Sequence, residues 1–427
     1  MNDLANEIGT LDRRYVWHPF TDMRQWLTDS PLVVVEGRGC WLYDAHGRKY
    51  LDGNASIWTN IHGHNHPKLN AALAEQAGVI AHSSFLGLTN PPAARLAAQL
   101  VALLPTSTLG KVFFSDNGST AVEVALKMAV QSFQLMGRPQ KNGFATFDAA
   151  YHGDTVGASS LGGIGVFHDR FASLHFPVQR IADPDQLNRL EPAKLAGLII
   201  EPIVQGAAGI RLWPSGTLKR LRDWCDENEV WLIYDEVLTA FGRTGRMFAC
   251  EHENVFPDFL VLAKGLTGGY LPLGATLTTD RIFNQFLGEP EEMKTFFYGH
   301  SYAGNALGCA VALANLEVFA EEDTLGALAP KIIHLGTGLE HLRQIAGVKE
   351  VRQAGFIAGI ELGKSDGSSL DWREFTGARV CLRARAYQLL TRPIRDVVIL
   401  LLPLCASEAE IDLAIEALAK ATRDVVK

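Results

Sequence analysis

The chain has 427 residues, 47% of them hydrophobic and 20% charged, a composition that excludes a disordered polymer and fits an ordinary globular protein. Its length exceeds what one compact core usually supports, so a large and a small domain are expected. The formal charge of -8 implies no basic face and argues against nucleic acid as a partner.

From the N-terminus, MNDLANEIGTLDRRY carries no apolar signal core, so export is not expected and the cytoplasm is. LVVVEGRGCWLYDAHGRKYLDG reads as a hairpin with DAHG as its turn. HGHNHP then sets His62, His64 and His66 in alternation, which on a strand would gather them for a metal. Gly63, Asn65 and Pro67 point instead to a turn, and no metal site is expected. KVFFS is a strand, followed by DNGST and a helix that carries Val122, Leu126 and Ala129 on one face. FATF is another strand, ending in AAYHGDT. LAGLIIEP and VWLIYDEV are apolar throughout, as strands buried on both faces are, with the helix RLRDWCDE between them. DFLVLAKG and LGATLTT continue the series. This alternation, over roughly residues 68–315, predicts an α/β domain with a mainly parallel sheet.

The remainder differs. GFIAGIEL, VVILLLPL and SEAEIDLAIEALAKATRDVV predict a small α+β unit closed by a helix, and VVILLLPL is far too short to span a membrane. ELGKSDGSS is reminiscent of a phosphate loop, but Ala358 occupies the position of a required glycine. No G-x-G-x-x-G follows a strand, so a nicotinamide cofactor is not supported. The six cysteines are scattered without a C-x-x-C, as reduced, mostly buried thiols would be.

Ligands of open parallel sheets sit at the carboxyl ends of the strands. Three polar features fall there. Asn117, Gly118 and Ser119 open a helix and could cradle a phosphate or merely cap the helix. Asp235 and Glu236 end a buried strand and need a cation, either an arginine such as Arg243 or Arg246 or a protonated ring nitrogen. Lys264 ends the next apolar run, where burial would lower its pKa and make the amine a nucleophile. A phosphate cradle, a buried acid and a strand-end lysine are the parts that hold pyridoxal 5'-phosphate, with Tyr151 or His152 available to stack on its ring.

FFSDNGSTAVEVALKMA, YHGDT, IIEPIVQG, YDEVLTAFGRTG, LAKGLTGGYLPLGA and GHSYAGNALGCAVA occur in this order, and over nearly its whole length the chain resembles the class III (ω-type) aminotransferases. The resemblance implies an α/β protein of the pyridoxal-phosphate transferase fold type I. It implies a cofactor-binding domain over residues 68–320, a small α+β domain from residues 1–67 and 321–427, and a homodimer with shared active sites. It assigns Lys264 as the lysine that carries the cofactor and Asp235 as the partner of the ring nitrogen. Tyr151 would stack on the ring, Asn117, Gly118 and Ser119 would bind the phosphate, and Ser301 would reach the cofactor of the neighbouring subunit.

Within the class, WHPFTDM, SIWTNIHGHNHP, FGRTGRMFACEHENVFPD, KTFFYGHSYAGN and TRPI are most similar to the adenosylmethionine-8-amino-7-oxononanoate aminotransferases of biotin biosynthesis. That similarity implies Phe20, Trp58, Tyr151, Gly299 and Arg392 as the substrate pocket, with Arg392 on the substrate carboxylate. Read locally, Arg392 would instead pair with an acid at the surface. Ala207 stands where aminotransferases for ornithine or γ-aminobutyrate carry a gating glutamate. Phe20 and Ile57 replace a tyrosine and a tryptophan common in this group, which leaves S-adenosylmethionine and lysine as alternative amino donors. Another ω-aminotransferase acting on a diamine or β-amino acid is the competing expectation.

Overall fold

The computed structural model describes residues 2–105, 108–364 and 368–426. The centre of ELGKSDGSS, residues 365–367, lies outside the described residues, as does Met1.

After a helix over Asn2–Tyr15, the chain forms an antiparallel meander of β1 (Val34–Arg38), β2 (Trp41–Asp44) and β3 (Lys49–Asp52). The expected DAHG turn is present: Gly47 N–H donates to Asp44 O at 2.9 Å, and the Asp44 carboxylate accepts from the N–H groups of His46 and Arg48. The sequence showed a hairpin; β1 makes it a meander of three strands.

The central sheet has seven strands: β4 (Lys111–Ser115), β5 (Gly143–Phe147), β6 (Gln179–Ile181), β7 (Leu195–Ile200), β10 (Trp231–Asp235), β11 (Phe259–Leu262) and β12 (Gly274–Thr278). The small hairpin of β8 (Val204–Gln205) and β9 (Arg211–Leu212) falls between β7 and β10. In space the order is β4-β12-β11-β10-β7-β5-β6. Only β12 runs against the others, antiparallel to both β11 and β4. The sheet is therefore mixed, although mainly parallel. The reversal has a local cause: after β11 the chain turns back at Gly268 (φ +62) and Gly269 (φ +87), without a crossover helix. A side chain at Gly269 would stand 3.0 Å from the backbone of Asn60, so the close approach also requires glycine.

The apolar runs divide as a pleated strand must. Leu232, Tyr234, Leu260 and Leu262 enter one core, while Trp231, Ile233, Phe259 and Val261 enter the other with Val122, Leu126 and Ala129 of the helix Gly118–Leu135. Beyond the helices Ala306–Glu321 and Thr324–Arg343 lies an antiparallel sheet, β13-β14-β17-β16, built from β13 (Val348–Ala354), β14 (Ile357–Leu362), β16 (Pro393–Ile394) and β17 (Val397–Leu400). β15 (Leu389–Leu390) instead pairs parallel with β3, joining the N-terminal meander to the C-terminal part. The last helix, Glu408–Val425, starts on a Ser407–Glu410 capping box. Among the described residues, no helix is long and apolar enough to cross a membrane.

Candidate active site

Because β4, β5, β7, β10 and β11 point the same way, the residues that follow them meet at one edge of the sheet. They line a cavity of about 780 Å³, within the range of small-molecule sites. Asn117, Gly118 and Ser119 reach it after β4, Tyr151 to Thr155 after β5, Glu201 after β7, Asp235, Val237 and Leu238 after β10, and Lys264 after β11. Trp58, Thr59 and Ala207 close it.

At one end, Asn117 caps the helix Gly118–Leu135 and Thr120 completes the capping box. The cap satisfies the Thr120 N–H, whereas the N–H groups of Gly118 and Ser119 have no partner among the described residues. Both residues line the cavity at the positive end of the helix, as an anion site requires. The space is tight: a Cβ at Gly118 would lie 2.8 and 2.9 Å from the methyl groups of Val237. Ser119 Oγ accepts the Thr155 N–H at 3.0 Å, which holds its hydroxyl at the same end.

In the middle, Asp235 is 5% exposed, and its Oδ2 accepts a hydrogen bond from His152 Nδ1 at 2.7 Å. Its Oδ1 accepts the Val237 N–H at 3.1 Å. The partner is therefore not an arginine. Arg243 turns away because the chain bends at Phe241 (φ 57) and Gly242 (φ 85), and its guanidinium donates to Asn60 O and Leu402 O. Glu236 points to the opposite side, where the N–H groups of Ala249 and Cys250 and the Thr239 hydroxyl bind it. Burial raises its pKa to about 7.

Lys264 has φ 45, a left-handed conformation that a lysine adopts only when its surroundings impose it. Its Nζ lies 4.8 Å from the centre of the Trp58 ring. Burial lowers its pKa, and the negative charges of Asp235 and Glu201 oppose that shift without cancelling it. Glu201, which the sequence reading passed over, accepts the N–H groups of Tyr151 at 3.2 Å and Gly206 at 2.8 Å. Burial raises its pKa to about 7, assisted by the charge of Asp235. Its signal was an acid directly following a strand buried along its whole length, the same signal that marked Asp235.

Trp58 is held in an unusual way. Ala55, Ser56, Ile57 and Trp58 all have positive φ, between 39 and 72. Each left-handed residue without a glycine costs about 1–2 kcal/mol. Asp52, 1% exposed, offsets that cost by accepting from the Ser56 N–H and hydroxyl, both at 2.8 Å, and from His64 Nε2 at 2.9 Å. The three histidines of HGHNHP therefore go separate ways: His64 to Asp52, His66 to Glu322, and His62 edge-on to the Phe319 ring.

Other expected residues lie outside the cavity. Phe20 is exposed and does not line the cavity; its ring meets that of Phe167, which in turn meets that of Tyr151. Gly299 and Ser301 are exposed, and the Ser301 carbonyl accepts from His82. Arg392 is exposed between β15 and β16 and has no ion-pair partner among the described residues, so the expected acid pair is absent.

The residues fit pyridoxal 5'-phosphate: free N–H donors at a helix start, a carboxylate fixed by a histidine at mid-cavity, and an amine of lowered pKa opposite. Comparisons with known proteins agree. The family model for aminotransferase class-III matches residues 23–422. The adenosylmethionine-8-amino-7-oxononanoate aminotransferase of Geobacter sulfurreducens is 46% identical, over 97% of each chain. That of Aquifex aeolicus is 44% identical over the same shares. The crystal structure of the Methanocaldococcus jannaschii enzyme of that name superposes with a TM-score of 0.96 at 40% identity, covering 98% of this chain and 99% of the other. An amine transaminase from an uncultivated Pseudomonas species, in its PLP-bound (internal aldimine) form, gives a TM-score of 0.91 at 33% identity, covering 96% and 99%.

Proposed function

This chain belongs to the class-III aminotransferases, and from that premise we propose that it transfers an amino group from S-adenosylmethionine to 8-amino-7-oxononanoate, giving 7,8-diaminononanoate for biotin synthesis. The observation that carries the site assignment is the sharing of one cavity by Lys264, Asp235 and the open helix start at Gly118. The relatives of that name, 46% and 44% identical over 97% of each chain, support the substrate assignment.

The cofactor is pyridoxal 5'-phosphate, which supplies an aldehyde for amines and a ring that withdraws electrons from the carbon losing a proton. In this reading the Gly118 and Ser119 N–H groups would hold its phosphate, and Asp235, backed by His152, would hold the proton of the ring nitrogen. Tyr151, which lines the cavity, would stack on the ring. Lys264 would anchor the aldehyde through Nζ, and the same amine, when free, would serve as the base that moves a proton at the donor carbon. Its lowered pKa suits both tasks, because each needs the neutral amine. The Trp58 ring covers the amine.

The enzyme would act as a cytoplasmic homodimer. Gly299 and Ser301 would then serve the partner's cavity, which accounts for their position outside their own. Arg392, without an ion-pair partner among the described residues, would take the substrate carboxylate through a bidentate fork. Residues 1–67 and 321–427 would form the small domain and 68–320 the large one, and the pairing of β3 with β15 supports that division. A half-reaction tests the assignment. S-adenosylmethionine should bleach the visible band of the yellow enzyme, and 8-amino-7-oxononanoate should restore it. Restoration by pyruvate or 2-oxoglutarate instead would indicate another ω-aminotransferase, and bleaching by lysine alone would replace the donor.

A further inference from the structure

Cys40 and Cys405 are 365 positions apart in the chain, yet their Sγ atoms stand 3.4 Å from each other. Both sit in turns. Cys40 occupies the short connection between β1 and β2, and Cys405 lies between β17 and the cap of the final helix. Turns adjust more easily than strand interiors, so closing the gap to the roughly 2.05 Å of a disulfide needs no change in sheet register.

The two sulfurs differ. Cys40 is buried, whereas Cys405 is an exposed residue whose sulfur turns inward, toward Cys40 and Gly63. Either thiol can donate in the hydrogen bond between them; the contact with Cys40 lowers the pKa of Cys405 and the Lys331 ammonium adds to this, while burial and Glu410 oppose it. Cys40 is correspondingly pushed up. Lys331 Nζ donates to Leu404 O at 3.1 Å, next to the thiol. Two sulfurs in contact, one on a buried residue and one on a residue at the surface, are the arrangement that thiol–disulfide exchange uses.

We propose that Cys40 and Cys405 form a reversible intramolecular disulfide, with a small-molecule disulfide such as oxidised glutathione as the oxidant. The Cys405 thiolate attacks one sulfur of the oxidant and expels a glutathione thiolate, which takes up a proton. Cys40 then gives up its proton and attacks the Cys405 sulfur, expelling the second glutathione. Two protein thiols are oxidised and one glutathione disulfide is reduced to two thiols.

The bond would clamp the loop between Asn60 and His64. Gly63 lies between the two turns: a Cβ there would be 3.0 Å from both Cys405 Sγ and Gly39. His64 and Gly39 exchange backbone hydrogen bonds at 2.7 and 3.0 Å. The same loop leads back to Trp58, so oxidation should steady the segment that borders the cavity.

The test incubates the full-length holoenzyme with oxidised glutathione, quenches by alkylation under denaturing conditions, and maps peptides without reduction. The expected product is one Cys40–Cys405 peptide, loss of two of the six titratable thiols, and reversal by dithiothreitol. Hydrogen exchange over the loop should slow in the oxidised protein. Cys40→Ser and Cys405→Ser should each abolish the crosslink and leave turnover of the reduced enzyme unchanged. Six free thiols after incubation would overturn the proposal. So would glutathione left on Cys405 without a crosslink, a bond between other cysteines or between chains, or unaltered exchange in the loop.

Discussion

Gly118→Ala tests the phosphate cradle quantitatively. The added methyl would sit 2.8 and 2.9 Å from the Val237 methyl groups, well inside the roughly 3.5–4.0 Å separation of contacting carbons. Val237 is β-branched and follows the buried end of β10, so it cannot rotate clear. The helix start must shift instead. Overpacking of this kind costs about 1–3 kcal/mol. Carried into cofactor binding, that is roughly a 5- to 150-fold weaker Kd. The assay titrates apoenzyme with pyridoxal 5'-phosphate by visible absorbance, and with unphosphorylated pyridoxal in parallel. The phosphorylated form should lose affinity and pyridoxal should lose little. Adding Val237→Ala should restore most of the loss, because it removes the two methyl groups in conflict. Undiminished affinity in Gly118→Ala, an equal loss for both ligands, or no rescue would refute the reasoning.

Asp52→Asn should displace Trp58 by turning one acceptor of the left-handed segment into a donor facing Ser56 or His64. We expect a loss of about 2–4 kcal/mol in stability and a raised KM, and a variant with wild-type KM and unfolding midpoint would refute the role. Glu236 carries a pKa raised to about 7 from an ordinary 4.5. The folded chain therefore keeps a proton that the unfolded chain has released in that window. Stability from this group is greatest below 4.5 and falls as pH rises to 7, by on the order of 3 kcal/mol. Relative to wild type, Glu236→Gln should gain stability between about pH 5 and about pH 8 in urea unfolding at fixed protein concentration, and a difference independent of pH would contradict the shift.

The strand ends were legible because continuous apolar runs stop at polar residues, and a parallel sheet brings such stops to one edge. Lys264, Asp235 and Gly118 were found in that way. The partner of Asp235 was not, because His152 is 83 positions away and adjacency across the sheet depends on strand order, which local pattern does not carry. Arg243 was the nearer candidate in the chain, but backbone conformation at Gly242 directs it elsewhere. The left-handed turn at Ala55–Trp58 was also hidden, since no glycine marks it and its support comes from Asp52 outside the segment. Gly299, Ser301 and Arg392 were named from resemblance alone, and all three are exposed on this chain. The antiparallel β12 escaped because direction leaves no trace in a run of buried residues.

Borohydride reduction of the holoenzyme, followed by peptide mapping, tests the central assignment most directly. The account predicts one reduced cofactor per chain, attached to Nζ of Lys264, and loss of that attachment together with the visible band in Lys264→Ala. Cofactor fixed to another side chain, or turnover surviving in Lys264→Ala at the wild-type rate, would contradict it.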